Sequence, residues 1–254
     1  MANFHTHLVV AAGISGTLAA SLLVVGVATP QAVVIYFILG TAGGLLPDID
    51  LGYSVPTRLA FPFLALICAF MALFHYAHHA HYSILELLII WGVVYSIVRY
   101  GVFSLFFQFT VHRGVIHSIP AALLACFVTT GLATLWLQAS PLTAWLAGAF
   151  VGLGFLVHLL LDELYSVDFF GLTVKHSFGS ALCLGKFGSR RALVATAVLY
   201  ASTAAAYYYA TPNPQAFIKV ISSPALYAKL SHRLLPTQGW FKGLGLLPER
   251  RIRD

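Results

Sequence analysis

The chain has 254 residues, of which 59% are hydrophobic and only 9% charged, with a formal net charge of +6. Charged residues make up about 25% of ordinary soluble domains, so this composition excludes a water-soluble fold and makes lipid the solvent. The positive balance forms no basic face interleaved with aromatic residues, which argues against nucleic acid and leaves anionic lipid headgroups as its partner.

Seven apolar runs follow in order: 8–28, 31–46, 59–74, 83–109, 119–138, 143–164 and 192–210. Most approach the ~20 residues that cross a hydrocarbon core, while the second and third are short and begin or end in the interface. The first run does not read as a cleaved signal peptide, because residues 1–7 lack Lys and Arg and Pro30 occupies the one site resembling a cleavage motif. The expectation is an all-α, polytopic transmembrane bundle of about six to seven spans, with 1–210 as the membrane domain and 211–254 as a basic, interfacial tail. Cys68, Cys126 and Cys183 form no CxxC pair, and the first two, inside apolar runs, read as buried thiols.

Placing the polar residues on these spans gives the main inference. If the N-terminus lies on one side of the membrane, the second span returns the chain there at Pro47-Asp48-Ile49-Asp50. The fourth returns it at His112-Arg113-Gly114-Val115-Ile116-His117, and the sixth brings back His158 and Asp162. His5 and His7 start there. Four separated polar clusters are thus expected to meet at one membrane face.

Each cluster has ligand-like spacing. Asp48 and Asp50 point the same way if their segment is extended. His158 and Asp162 are neighbours on one helical face. Gly114 lets the backbone bend between His112 and His117, and Ser118-Ile119-Pro120 reads as an N-cap with proline in the first turn. His117 then sits at a helix mouth, where free N–H groups favour an anion. Histidine and carboxylate without thiolate suit zinc, manganese or iron, and six or seven such ligands suffice for one or two divalent ions. Any one cluster alone would be an interfacial residue or a cap, but a carboxylate inside a span, such as Asp162, is a functional residue by default. Glu163 points about 100° away from Asp162 and falls outside the site.

Four stretches, "FHTHL", "GGLLPDID", "HRGVIHSIPAA" and "HLLLDELYSVD", together resemble the YdjM-type membrane-bound family, classed as metal-dependent hydrolases and described as LexA-regulated inner-membrane proteins of bacteria. The resemblance covers roughly residues 1 to 185. It implies His7 as the N-terminal metal ligand, with His5 at a position where a basic residue is common. It carries the family pattern onto Asp48, Asp50, His112, Arg113, His117, His158 and Asp162, and it implies a bacterial inner membrane as the location. "VKHSFGSAL" also looks like a family element and draws Lys175 and Ser177 toward the site.

Arg113 cannot ligate a cation. Its bidentate guanidinium suits a substrate phosphate or carboxylate, or else a salt bridge orienting Asp48 or Asp50. Arg99, inside the fourth span, needs a carboxylate or a headgroup, and Glu86 belongs at the interface. "HYAHHAHY" (75–82) falls on the opposite side and has no acidic partner, which suits a loop better than a second centre. No GxSxG and no HExxH motif is present, which argues against serine and zincin chemistry.

The tail carries apolar residues at near-helical intervals with Lys219, Lys229 and Arg233 among them, and is expected to be an interfacial segment broken at Pro224. Short loops on the side of the aspartates hold Arg58, Arg113, Lys175, Lys186, Arg190 and Arg191, whereas the opposite loops hold no Lys or Arg. The positive-inside rule makes the first side cytoplasmic, although seven full crossings would put the basic tail outside. The expected function is a membrane-embedded, metal-dependent hydrolase, with zinc favoured and a lipid or lipid-linked phosphoester as substrate, Arg113 and Lys175 meeting that substrate. A non-catalytic metal-binding or transport protein is the alternative.

Overall fold

The computed structural model describes residues 3–50, 54–79, 82–105, 114–168, 173–174, 179 and 182–234. Helix α1 (Phe4–Val24) starts at Asn3, whose side chain accepts from the Thr6 amide at 2.8 Å. Helix α2 (Pro30–Gly43) follows a Thr29 cap with proline in its first turn, where a missing N–H costs nothing. A 3₁₀ turn, Pro47–Asp50, leads to α3 (Val55–His79). Helix α4 (Ile84–Ser96) opens with a capping box between Ser83 and Glu86 and continues through a π turn to Leu105. Helices α5 (Ile119–Leu135) and α6 (Pro141–Leu164) form the centre. A two-residue antiparallel hairpin, β1 (Val167–Asp168) with β2 (Thr173–Val174), precedes α7 (Arg190–Ala205), which runs on as a π turn to Ala210. The tail supplies α8 (Gln215–Ile221) and α9 (Pro224–Leu234).

The architecture is an all-α, membrane-type bundle. By length and apolarity Phe4–Val24, Val55–Ala77, Ile84–Leu105 and Pro141–Leu164 can cross a membrane, while Pro30–Gly43 and Ile119–Leu135 are apolar but shorter. Helix α6 is the axis: most of it is buried, and it packs against α5, α2 and α1. One apolar layer joins Ala19, Tyr36, Leu146, Ala147 and Phe150, with the Tyr36 and Phe150 rings stacked at 5.2 Å. A second joins Ala121, Ala122, Phe155 and Leu159. Helix α4 buries none of its described residues, as expected of a helix whose neighbours are lipid.

Lipid gives apolar side chains little reason to pair, so helices in a membrane associate where small residues let backbones approach. Gly40 and Gly44 at the end of α2 meet Gly154 of α6, and a Cβ added at Gly154 would lie 2.7 Å from the Gly44 nitrogen. Gly148 and Gly152 give α5 the same close access, against Thr130 and Cys126.

One expectation is corrected. The segment carrying Asp48 and Asp50 is a 3₁₀ turn, not an extended stretch, because Ile49 N bonds back to Leu46 O at 3.1 Å. The extended geometry on which a shared direction depended is therefore not present here, and the side chain of Asp50 lies outside the described residues. Helix α7 with its π turn is not among the helices long and apolar enough to cross a membrane, and its contacts show where its two ends lie in the bundle. Helix α7 begins beside the loop that pairs Cys183 with Ser118 and ends with Ala210 against Gly131, near the far end of α5. Trp145 then donates to Pro212 O at 3.0 Å, and Lys229 donates to Val25 O at 2.6 Å. The tail is folded onto the end of the bundle opposite His7 and Asp162. It does break ahead of Pro224, as expected.

Candidate metal centre

Four segments meet at the end of the bundle where α1 starts and α6 finishes. His7 comes from the second turn of α1, where it is 2% exposed. Asp48 comes from the 3₁₀ turn and is 13% exposed. That turn is held from below: Ser54 Oγ donates to Asp48 O at 2.7 Å, and buried Thr57 donates to Ile49 O at 2.9 Å. His117 immediately precedes the first cap of α5, and His158 and Asp162 project from successive turns of α6. These last three are fully buried.

Helix geometry makes His158 and Asp162 neighbours, and the glycine contact between α6 and α2 orients the first of them. Gly154 lies one turn before His158 on the same face. The close approach it permits puts Gly44 O 2.8 Å from His158 Nδ1. With Nδ1 as donor, Nε2 keeps the lone pair that a cation needs, the arrangement metal-ligating histidines use.

The side-chain atoms then converge. His158 Nε2 lies 3.6 Å from Asp48 Oδ1 and 3.8 Å from Asp162 Oδ2. His7 Nε2 lies 3.4 Å from Asp162 Oδ1, and His117 Nε2 lies 3.9 Å from Asp162 Oδ2. The His7 and His158 rings stack with centroids 3.7 Å apart. Ligand atoms 2.0–2.2 Å from one tetrahedral ion lie about 3.3–3.6 Å from each other; the separations of 3.4 and 3.6 Å match that range, those of 3.8 and 3.9 Å lie slightly above it, and all four are long for direct hydrogen bonds. His158 Nε2 and His7 Nδ1 are buried without a hydrogen bond, a costly state for a polar atom that a cation on His158 relieves. Two overlapping groups could hold an ion: His7 with Asp48 and His158, and His117 with His158 and Asp162. Both use His158, whose single available lone pair can serve only one ion.

Five of the expected ligands are therefore brought together: His7, Asp48, His117, His158 and Asp162. His112, Arg113, Lys175 and Ser177 lie outside the described residues, as does the side chain of Asp50. His5 is exposed on the other face of α1. Glu163 stands apart from the cluster and accepts from the Gly179 amide. Ser118 caps no amide with its side chain and donates to Val115 O at 2.6 Å. Cys183 Sγ points to His117 O at 3.4 Å. Arg99 lies over the rings of Tyr100 and Phe103, at 5.4 and 5.3 Å, where a carboxylate or headgroup had been expected. His75 is exposed near the far end of α3. Residues missed in the sequence were the supporting ones, Gly44, Thr57 and Gly154. The four-residue spacing of Gly40 and Gly44 was the available signal.

Residues 1–174 match the family model described as YdjM inner membrane protein. That span contains all five converging side chains and stops before α7 and the tail. No curated protein and no solved structure matches the chain.

Proposed function

Since the chain belongs to the YdjM inner membrane protein family and gathers three histidines and two aspartates at one bundle end, we propose that it is a membrane-embedded, metal-dependent hydrolase. The substrate class is a lipid or lipid-linked phosphoester, met at the headgroup level. The observation that carries the reading is the convergence of five buried or nearly buried donors from four distant segments at separations of 3.4–3.9 Å. Structural packing of apolar helices does not call for such a group, and burying it without a cation is expensive.

Imidazole and carboxylate without thiolate favour zinc, with manganese and iron as the next candidates. A divalent ion, when bound, acidifies water toward neutral pH and polarises a phosphoryl oxygen. The chain's own residues do the rest. His158 is oriented by Gly44, Asp48 is carried on a turn pinned by Ser54 and Thr57, and Asp162 presents both oxygens to the histidines. In this reading Arg113 and Lys175 meet the anionic oxygens of the substrate. The site end faces the cytoplasm, following its short basic loops. Among the described residues no second His/Asp group lies toward the opposite end, which favours a hydrolase over a transporter with ligands along a path.

The test is turnover of phospholipid and polyprenyl-phosphate substrates by metal-loaded protein, with chelator and His158→Ala as controls. Hydrolysis that rises with pH through neutrality and disappears in both controls is expected. Metal transport across vesicles with no hydrolysis of any phosphoester would overturn the assignment.

A further inference from the structure

At the end of the bundle opposite the candidate metal centre, the tail builds a second feature. Helix α8 is fastened to the bundle by Trp145, which donates to Pro212 O and stacks on Phe217 with centroids 5.9 Å apart. Helix α9 is fastened by Lys229, whose ammonium reaches the last carbonyl of α1 at Val25. Between them lies a groove of about 360 Å³, within the size range of small-ligand sites. Its apolar wall is formed by Val25, Val27, Val220 and Leu226, and Lys219 and Lys229 stand on it with Ser223.

Three observations say what fills it. The groove segments 25–28 and 215–234 contain no Asp or Glu, so among the described residues these segments supply no counter-charge to the two lysines. Lys229 uses one N–H on Val25 O and has further donors available. Aromatic side chains mark this level as the membrane interface: Trp136, Tyr208 and Tyr209 are exposed at this end, at 61%, 78% and 80%. Such belts sit at headgroup depth. An apolar wall beneath two ammonium groups at that depth complements a molecule with an anionic head and an apolar stem.

We propose that this groove is a binding site for one anionic phospholipid, with its phosphate between Lys219 and Lys229 and the first part of its acyl region along Val25, Val27, Val220 and Leu226. The occupied groove pins the tail to α1 and α6. It is separate from the metal centre and does not depend on it.

The experiment uses the full chain in neutral detergent, with lipid adducts counted by native mass spectrometry after adding phosphatidylglycerol or phosphatidylcholine. One retained phosphatidylglycerol per chain is expected, in preference to phosphatidylcholine. Retention should weaken about fivefold in Lys219→Gln and about thirtyfold in the Lys219→Gln/Lys229→Gln double variant, taking for each ammonium about 1 kcal/mol, the upper end for an exposed ion pair. Lys229→Arg, which keeps charge and donor, should retain the lipid. Helical circular dichroism and monodisperse elution, measured on the same samples, should be unchanged, which shows that each variant is folded. Equal retention of the two lipids, full retention by the double variant, or displacement of the lipid by millimolar inorganic phosphate would each overturn the proposal.

Discussion

Replacing Gly154 with alanine tests how the bundle builds its site. The added Cβ would fall 2.7 Å from the Gly44 nitrogen and nearer still to the Gly40 carbonyl, where ordinary contact begins near 3.4 Å. The Gly40 carbonyl sets the minimum, and helix α2 must withdraw from α6 there by more than about 1 Å. That displacement stretches the 2.8 Å contact between His158 Nδ1 and Gly44 O beyond about 3.5 Å, the limit of a hydrogen bond. Overpacking of this kind costs roughly 1–3 kcal/mol, and loss of an outer partner of a ligating histidine typically costs about 10–100-fold in metal affinity. The assay is competition for the ion against a chelating dye in detergent, paired with thermal unfolding of the metal-free protein. Gly13→Ala is the control: nothing lies within 4 Å of its added Cβ. It should gain up to about 1 kcal/mol from helix propensity and leave affinity alone. If Gly154→Ala bound the ion as tightly as wild type, the glycine contact would not be what orients His158.

Two further predictions follow from the same geometry. His158→Ala should lose nearly all bound metal, since both candidate groups depend on its Nε2, while His7→Ala and His117→Ala should each weaken binding in part; elemental analysis showing full occupancy in His158→Ala would dissolve the proposed centre. In a background lacking Cys68, Cys126 and Cys183, a cysteine at exposed Gly188 should react only with reagents that reach the cytoplasm, and one at exposed Leu137 only with external reagents. The reverse labelling would move the centre to the outer face and change its substrate pool.

The apolar runs, their approximate ends and the meeting of four polar clusters were legible in the sequence. In lipid every backbone group must be satisfied within its own segment, so a hydrophobic run is a helix. Alternate crossings then return to the same face. Charged and imidazole side chains inside such runs are conspicuous because the solvent penalises them, which made His158 and Asp162 visible against their neighbours. The family match over residues 1–174 fits the motifs that carried the resemblance.

Tertiary structure decided what hydropathy does not encode. Hydropathy reports whether a residue tolerates lipid, not which helix it touches, and the four helices long and apolar enough to cross score alike, at mean hydropathies of 1.7–2.0. Which helices pair depends on steric fit between small residues far apart in the chain, so the approach of Gly154 to Gly40 and Gly44, and with it the orientation of His158, emerged only in three dimensions. The 3₁₀ turn at Asp48 is set by local hydrogen bonds and by support from Ser54 and Thr57 on the next helix. The placement of the tail rests on single long-range contacts, Lys229 to Val25 and Trp145 to Pro212. Charge counting alone pulled that tail toward the basic loops. Those hydrogen bonds and the stacking of Trp145 on Phe217 hold it at the other end, because loop charge biases a topology weakly in long segments while packing fixes where a folded segment lies.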